Sequence, residues 1–176
     1  MDAEFAIERA RSAIGAGCKY DLGRGGRKPE AKVPWDSRKR CDCSGFTAWV
    51  LGFDRKTDEP FYVNHNSGWV NTTAMWVDAE EPVGIFRQIV RPRAGALLVY
   101  PGKGRSKGHV GIITKVVEGR PVQVVHCASS NYRLHGDAIL ENSASILLKH
   151  PKHRFIWYEG MRTNLQMLHS DSERFS

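Results

Sequence analysis

Two short blocks carry the residue types of a thiol nucleophile and its base: Asp42-Cys43-Ser44-Gly45-Phe46 and Gly108-His109-Val110-Gly111-Ile112. A cysteine attacks a carbonyl once a positioned imidazole takes its proton, and the same imidazole can then protonate the leaving amine. His126, at the end of an apolar run, is a third candidate. Cys41, Cys43, His109, His126 and Cys127 are also zinc-ligand types. Against a metal, Cys-X-Cys fits poorly to zinc spacings, and ligation leaves Ser44-Gly45 and Val110-Gly111 without a purpose.

The elements that would position these groups follow from periodicity. Phe46, Trp49, Val50 and Phe53 recur at i, i+3, i+4 and i+7, which predicts an amphipathic helix with Cys43 in its first turn. Asp42 is placed to cap it and Gly52 to stop it. Free N–H groups at a helix start favour a thiolate, although a cysteine that merely packs is the competing reading. His109–Val117 reads as a strand, Glu118-Gly119 as a turn and 121–126 as the returning strand. A two-residue turn pairs Val117 with Arg120 and sets His126 opposite Gly111. His109 then becomes the diagonal neighbour of His126 on one face, roughly 7–8 Å away. His126 would fix the tautomer of His109 and aim its other nitrogen at a thiol. A slip of one residue would separate the two rings. Either histidine alone reads as an ordinary structural imidazole, and spacing by itself does not bring His109 to Cys43.

Taken together, Asp42-Cys43-Ser44-Gly45-Phe46, then Gly108-His109-Val110-Gly111-Ile112, then a strand ending at His126 before Cys127-Ala128-Ser129-Ser130, resemble the NlpC family of bacterial cell-wall cysteine peptidases. The resemblance extends to an N-terminal helix, the Tyr20–Gly26 segment, a helix over 69–78 and a strand over 92–100. It implies an α+β fold with a papain-like core, N-terminal helices packed on an antiparallel sheet. It also implies hydrolysis of peptidoglycan stem peptides without a metal or organic cofactor. Cys43 would be the nucleophile, His109 the general base and His126 the residue that orients it. Tyr20, Asp42 and Ser44 would bind substrate by holding the free α-amine of a stem peptide, which points to the bond between γ-D-Glu and the diamino acid. The chain departs from the family in having Ala96 after Gly95, a stretched basic segment after Tyr20, and a basic loop over 102–107. A transferase, or a catalytically silent wall-binding module, would use the same fold.

At 176 residues, with 41% apolar content and no repeat, the chain suits one core. The expected organisation is a single catalytic domain over 1–162 and a polar tail over 163–176. Ala3, Ala6, Ile7, Ala10, Ala13 and Ile14 share a helical face, with Asp2 as cap and Gly15 and Gly17 as stops. That segment is acidic in places and lacks the apolar run of a secretory signal, and no stretch is long enough to span a membrane. Cytoplasmic synthesis is expected, with action on the cell wall or its fragments as a cytosolic recycling enzyme, through signal-independent export or as part of a phage particle. An exported effector would have an inhibitory immunity partner. Cysteines at 18, 41, 43 and 127 lack the spacing of a disulfide scaffold, so reduced thiols are expected, with a Cys41 pairing to Cys18 or Cys127 left open. The net charge of +7 is concentrated in 24–40 and in a second group from Arg87 to Lys107. Such patches attract polyanions, and the carboxylate-rich cell wall suits them. Zinc-finger, RNA-binding and helix-turn-helix signatures are missing, which argues against a nucleic-acid partner.

These readings separate by chelation. Thiol chemistry predicts hydrolysis unaffected by EDTA and no stoichiometric zinc in the purified protein. About one zinc per chain in elemental analysis, lost together with folding, would establish the metal reading instead.

Overall fold

Asp2 opens the first helix, its carboxylate accepting the Phe5 N–H at 2.8 Å to cap α1 (Ala3–Ser12). The computed structural model describes residues 1–161 apart from 83, 105 and 106, so the expected polar tail lies outside the described residues. Ala6, Ala10 and Ala13 are buried, and these small side chains let α1 approach its neighbours closely. A short parallel pair, β1 (Lys19–Tyr20) and β2 (Arg40–Cys41), closes the Gly-rich loop between them and delivers the chain to Asp42. The Asp42 carboxylate accepts the Gly45 N–H at 2.8 Å and so sets the start of α2 (Cys43–Val50).

Two short helices follow, α3 (Pro60–Asn66) and α4 (Thr72–Asp78). The helix expected over 69–78 begins later because Asn71 caps it, accepting the Ala74 N–H at 2.9 Å, while Trp69 forms a bridge with Lys56. After β3 (Phe86–Ile89) comes β4 (Leu97–Tyr100), also shorter than the expected 92–100. Gly95 at φ +85 and a bond from the Ala96 N–H to the Arg93 carbonyl make a turn there. β5 (His109–Val117) and β6 (Arg120–Cys127) form the expected hairpin. Glu118 and Gly119, at φ +49 and +73, supply the two left-handed residues of its tight turn. The chain ends with α5 (Ser129–His135), β7 (Ile139–Ser143), α6 (Ser145–Leu148) and β8 (Arg154–Tyr158).

Six strands form one antiparallel sheet in the order β3-β8-β4-β5-β6-β7. Its central strands are apolar on both faces, with Leu97, Leu98, Val99, Val110, Ile112 and Ile113 fully buried. Among the described residues no helix is long and apolar enough to cross a membrane. The structure corrects the amphipathic reading of α2, because every residue from Cys43 to Val50 is buried. It packs on β5, β6 and α1, the loop 24–26 covers its first turn, and the Arg9 guanidinium lies 4.4 Å from the centre of the Trp49 ring.

Gly45 tests this packing. Elsewhere in a helix, Gly to Ala stabilises by about 1 kcal/mol. Here a Cβ would lie 2.5 Å from the Arg24 carbonyl oxygen and 2.9 Å from the Arg55 guanidinium. Gly45→Ala should therefore lower the urea midpoint, by roughly 2 kcal/mol of stability; a more stable variant would mean that the loop does not close on the helix.

Candidate active site

Cys43 is 3% exposed, and backbone N–H groups of Val110 and Ser44 reach its sulfur. Val110 directly follows His109, so β5 brings its first residues to the start of α2. Beside them opens a cleft of about 540 Å³ lined by Tyr20, Tyr100, Lys107, His109, His126 and Ile146, among others. All four cysteines are free thiols. Cys18, Cys41 and Cys127 are fully buried and do not line the cleft; the Cys127 thiol meets those of Cys18 and Cys41. Among the described residues no group of three or more His, Cys, Asp or Glu is placed to hold a metal ion.

The hairpin brings the two histidines together as its turn predicts. Pairing runs from Val117 with Arg120 to Ile112 with Val125, and the irregularities near Lys115 compensate one another. A Cβ on Gly111 would lie 3.1 Å from the His126 Cβ, a tight approach that would press on His126. His109 Nε2 and His126 Nδ1 are 2.6 Å apart, with the rings edge to face. His126 Nε2 in turn lies 2.9 Å from Asn142 Oδ1 on β7. The amide oxygen only accepts, so His126 donates from Nε2 and its Nδ1 is bare. His109 must then donate from Nε2, which leaves its Nδ1 as the atom free to take a proton.

Burial dominates the electrostatics. The Cys43 thiol is pushed up to about 12 by burial and by the Asp42 charge, against the N–H groups of Val110 and Ser44 and the Arg55 charge. The thiolate-favouring effect of the helix start is thus present but outweighed. His126 is drawn down to about 4 by burial, partly offset by its bond to Asn142. His109 is also drawn down, by burial and then by His126, although its opening to the cleft lets water soften the effect. The resting site at neutral pH therefore holds a thiol and two neutral imidazoles.

Tyr20 lines the cleft, whereas Asp42 and Ser44 lie behind it. Asp42 is 0% exposed; its Oδ2 accepts from Arg55 Nη2 at 2.7 Å and the Gly23 N–H at 2.6 Å, and its Oδ1 accepts from Gly45 and Ser44. Ser44 Oγ also accepts from Arg55, at 2.8 Å. Both side chains are engaged by partners inside the protein. Sequence reasoning missed Arg55 and Asn142. Asn142 carried a usable signal: Val124 pairs with Asn142 and His126 with Leu140, the same diagonal relation that links the histidines. Arg55 lies outside any periodic segment and gave none.

The buried imidazole predicts a stability slope. His126 titrates at 6.5 when unfolded and near 4 when folded, so the unfolded chain binds the extra proton in between. Its contribution is complete above about pH 6.5 and falls by up to ~3 kcal/mol as pH drops toward 4. Asp78, pushed up to about 6 by burial, acts in the opposite sense but is common to wild type and variant. In urea titrations, the stability advantage of wild type over His126→Asn should shrink on going from neutral pH toward 4. A constant difference would mean that His126 is charged in the fold.

The sequence matches the CHAP domain family over residues 32–128. Among solved structures, the P60 domain of an M. avium subspecies paratuberculosis antigen is similar at 16% identity and a TM-score of 0.46, covering 92% of this chain and 96% of that one. A search of curated proteins finds no match. With Cys43, His109 and His126 inside a match that spans more than half of the chain, the protein belongs to the CHAP domain family, a group made up in general of cysteine peptidases and amidases of the cell wall.

Proposed function

We propose that the protein hydrolyses peptidoglycan stem peptides by thiol acyl transfer, with Cys43 as nucleophile, His109 as general base and His126 as the residue that orients it. The observation that carries this reading is the chain from Asn142 through His126 to His109, because it leaves Nδ1 of His109 able to accept a proton at the start of β5, whose Val110 N–H reaches the Cys43 sulfur. With a neutral thiol at rest, the proton moves to His109 as the sulfur attacks the amide carbonyl. His109 then protonates the leaving amine, and water, deprotonated by the same imidazole, releases the acyl group. The Cys43 backbone N–H at the start of α2 is the donor offered to the developing oxyanion.

The bond proposed is the one between γ-D-Glu and the diamino acid. A γ-linkage leaves the α-carboxylate of D-Glu free, at the far end of the glutamyl chain from the scissile amide, and Lys107 on the cleft wall supplies a cation for it. Because Asp42 and Ser44 are sealed inside, a free N-terminal amine is not required, and intact, sugar-linked wall is a substrate as well as free peptide.

Mass spectrometry of muropeptides after incubation tests this. Cys43→Ala should abolish cleavage, whereas Ser at Cys18 or Cys127 leaves most of it; full turnover in Cys43→Ala would end the enzyme reading. His109→Ala should cost roughly 10²–10⁴-fold, and His126→Asn less, because an amide still accepts the bond from His109. Free and N-acetylated L-Ala-γ-D-Glu-diaminopimelate peptides should react at rates within about threefold of each other, and Lys107→Ala should raise KM. Cleavage between diaminopimelate and D-Ala would refute the bond and leave the thiol step standing.

A further inference from the structure

The mechanism above leaves a buried cation unused. Arg55, 2% exposed, donates from Nη2 to Asp42 Oδ2 at 2.7 Å and to Ser44 Oγ at 2.8 Å, from Nη1 to the Arg24 carbonyl at 2.9 Å and from Nε to the Val70 carbonyl at 3.3 Å. Its guanidinium also lies 4.6 Å from the centre of the Trp69 ring. Its two side-chain partners, Asp42 and Ser44, flank Cys43 on either side in the chain. The planar fork thus holds both neighbours of the thiol, and the carbonyl of the loop that covers α2, with one rigid group.

We propose that Arg55 is a positioning residue for the thiol: by pairing with Asp42 and gripping Ser44 and the Arg24 carbonyl, it fixes the first turn of α2 and cancels the carboxylate charge next to Cys43. The proposal rests on Cys43 being the nucleophile. Around that sulfur the charged and titratable groups are Asp42, Arg55, Tyr20 and Tyr100, with His109 at the adjacent start of β5. Asp42 opposes the thiolate and Arg55 favours it, so removing either partner moves the thiol in a known direction. Without Arg55, an unpaired carboxylate faces the thiol; without the Asp42 charge, an unpaired guanidinium does.

Iodoacetamide labelling of Cys43, followed by peptide mass spectrometry at a fixed pH near 8, reads this without any substrate. Below its titration point a thiol labels roughly threefold faster for each unit its pKa falls, because the gain in thiolate is partly offset by a less nucleophilic sulfur. Asp42→Asn, which keeps an accepting cap oxygen, should label at least about threefold faster, and Arg55→Met at least about threefold slower. The double variant should return to within about twofold of wild type, because the charge that Arg55 balances is gone. Arg55→Lys, with the charge but not the fork, should label at nearly the wild-type rate yet lose kcat with KM little changed. A merely structural role predicts the opposite sign, since loosening the helix start would speed labelling in Arg55→Met and expose Cys18, Cys41 and Cys127 with it. Unchanged or faster labelling in Arg55→Met, or an unchanged rate in Asp42→Asn, overturns the proposal. If Arg55→Met does not fold, Asp42→Asn and Arg55→Lys decide it. Turnover by Cys43→Ala would instead overturn the nucleophile assignment, a result that labelling rates in the Arg55 variants cannot imitate.

Discussion

The ion pair between Asp42 and Arg55 locks together three stretches of chain that backbone bonds also join, from the Asp42 N–H to the Arg24 carbonyl, the Arg55 N–H to the Gly26 carbonyl and the Val70 N–H to the Arg55 carbonyl. Asp42 caps α2 and receives the Gly23 N–H; Arg55 reaches the Arg24 and Val70 carbonyls. Such a pair, both members withdrawn from water, adds little net stability compared with well-packed apolar side chains. Its consequence is directional. With one partner gone, the other remains as a buried charge, at a cost of about 3–5 kcal/mol, so only the arrangement that keeps both satisfied is populated. The glycines make that arrangement sterically feasible: a Cβ at Gly26 would lie 2.3 Å from the Gly45 carbonyl oxygen, and one at Gly25 would lie 2.3 Å from the Cys41 sulfur.

A second constraint is set by two residues far from the cleft. Glu118 and Gly119 turn the chain tightly, and the pairing that begins at Val117 and Arg120 carries its register along the hairpin to Ile112 and Val125. The irregularity near Lys115 shifts the local pairing and then restores it, so the histidines stay on one face. β7 adds Asn142 at the next diagonal, and its amide oxygen propagates a single tautomer through His126 to His109. A turn geometry thus reaches the proton-accepting atom of the site through backbone register and hydrogen-bond direction alone.

Burial then selects the protonation states. The apolar surroundings that order α2 also raise the Cys43 thiol and lower both imidazoles, so the free protein is not a preformed ion pair. Under the proposed mechanism, charge separation waits until an amide carbonyl is present to receive the electrons of the sulfur. A resting thiol is also less open to adventitious alkylation and oxidation than a standing thiolate.

Local chemistry made much of this protein legible from its residues. Asp42 as cap, Cys43 in the first helical turn, Asp2 as the cap of α1, and the His109–His126 pair across a two-residue turn all depend on near neighbours or on a single hairpin, and each is found where spacing put it. The side-chain environment was not legible. The Asp42 carboxylate, local in its capping oxygen, is claimed on its other side by Arg55, a loop residue that no periodicity marks. Asn142 reaches His126 only once β7 joins the sheet edge, and α2 is buried on every side because a loop, a helix and a sheet close around it. Capping, turns and strand alternation are decided within a few residues of the chain, whereas the partner of a buried charge and the depth of a thiol depend on segments that meet only in the folded state.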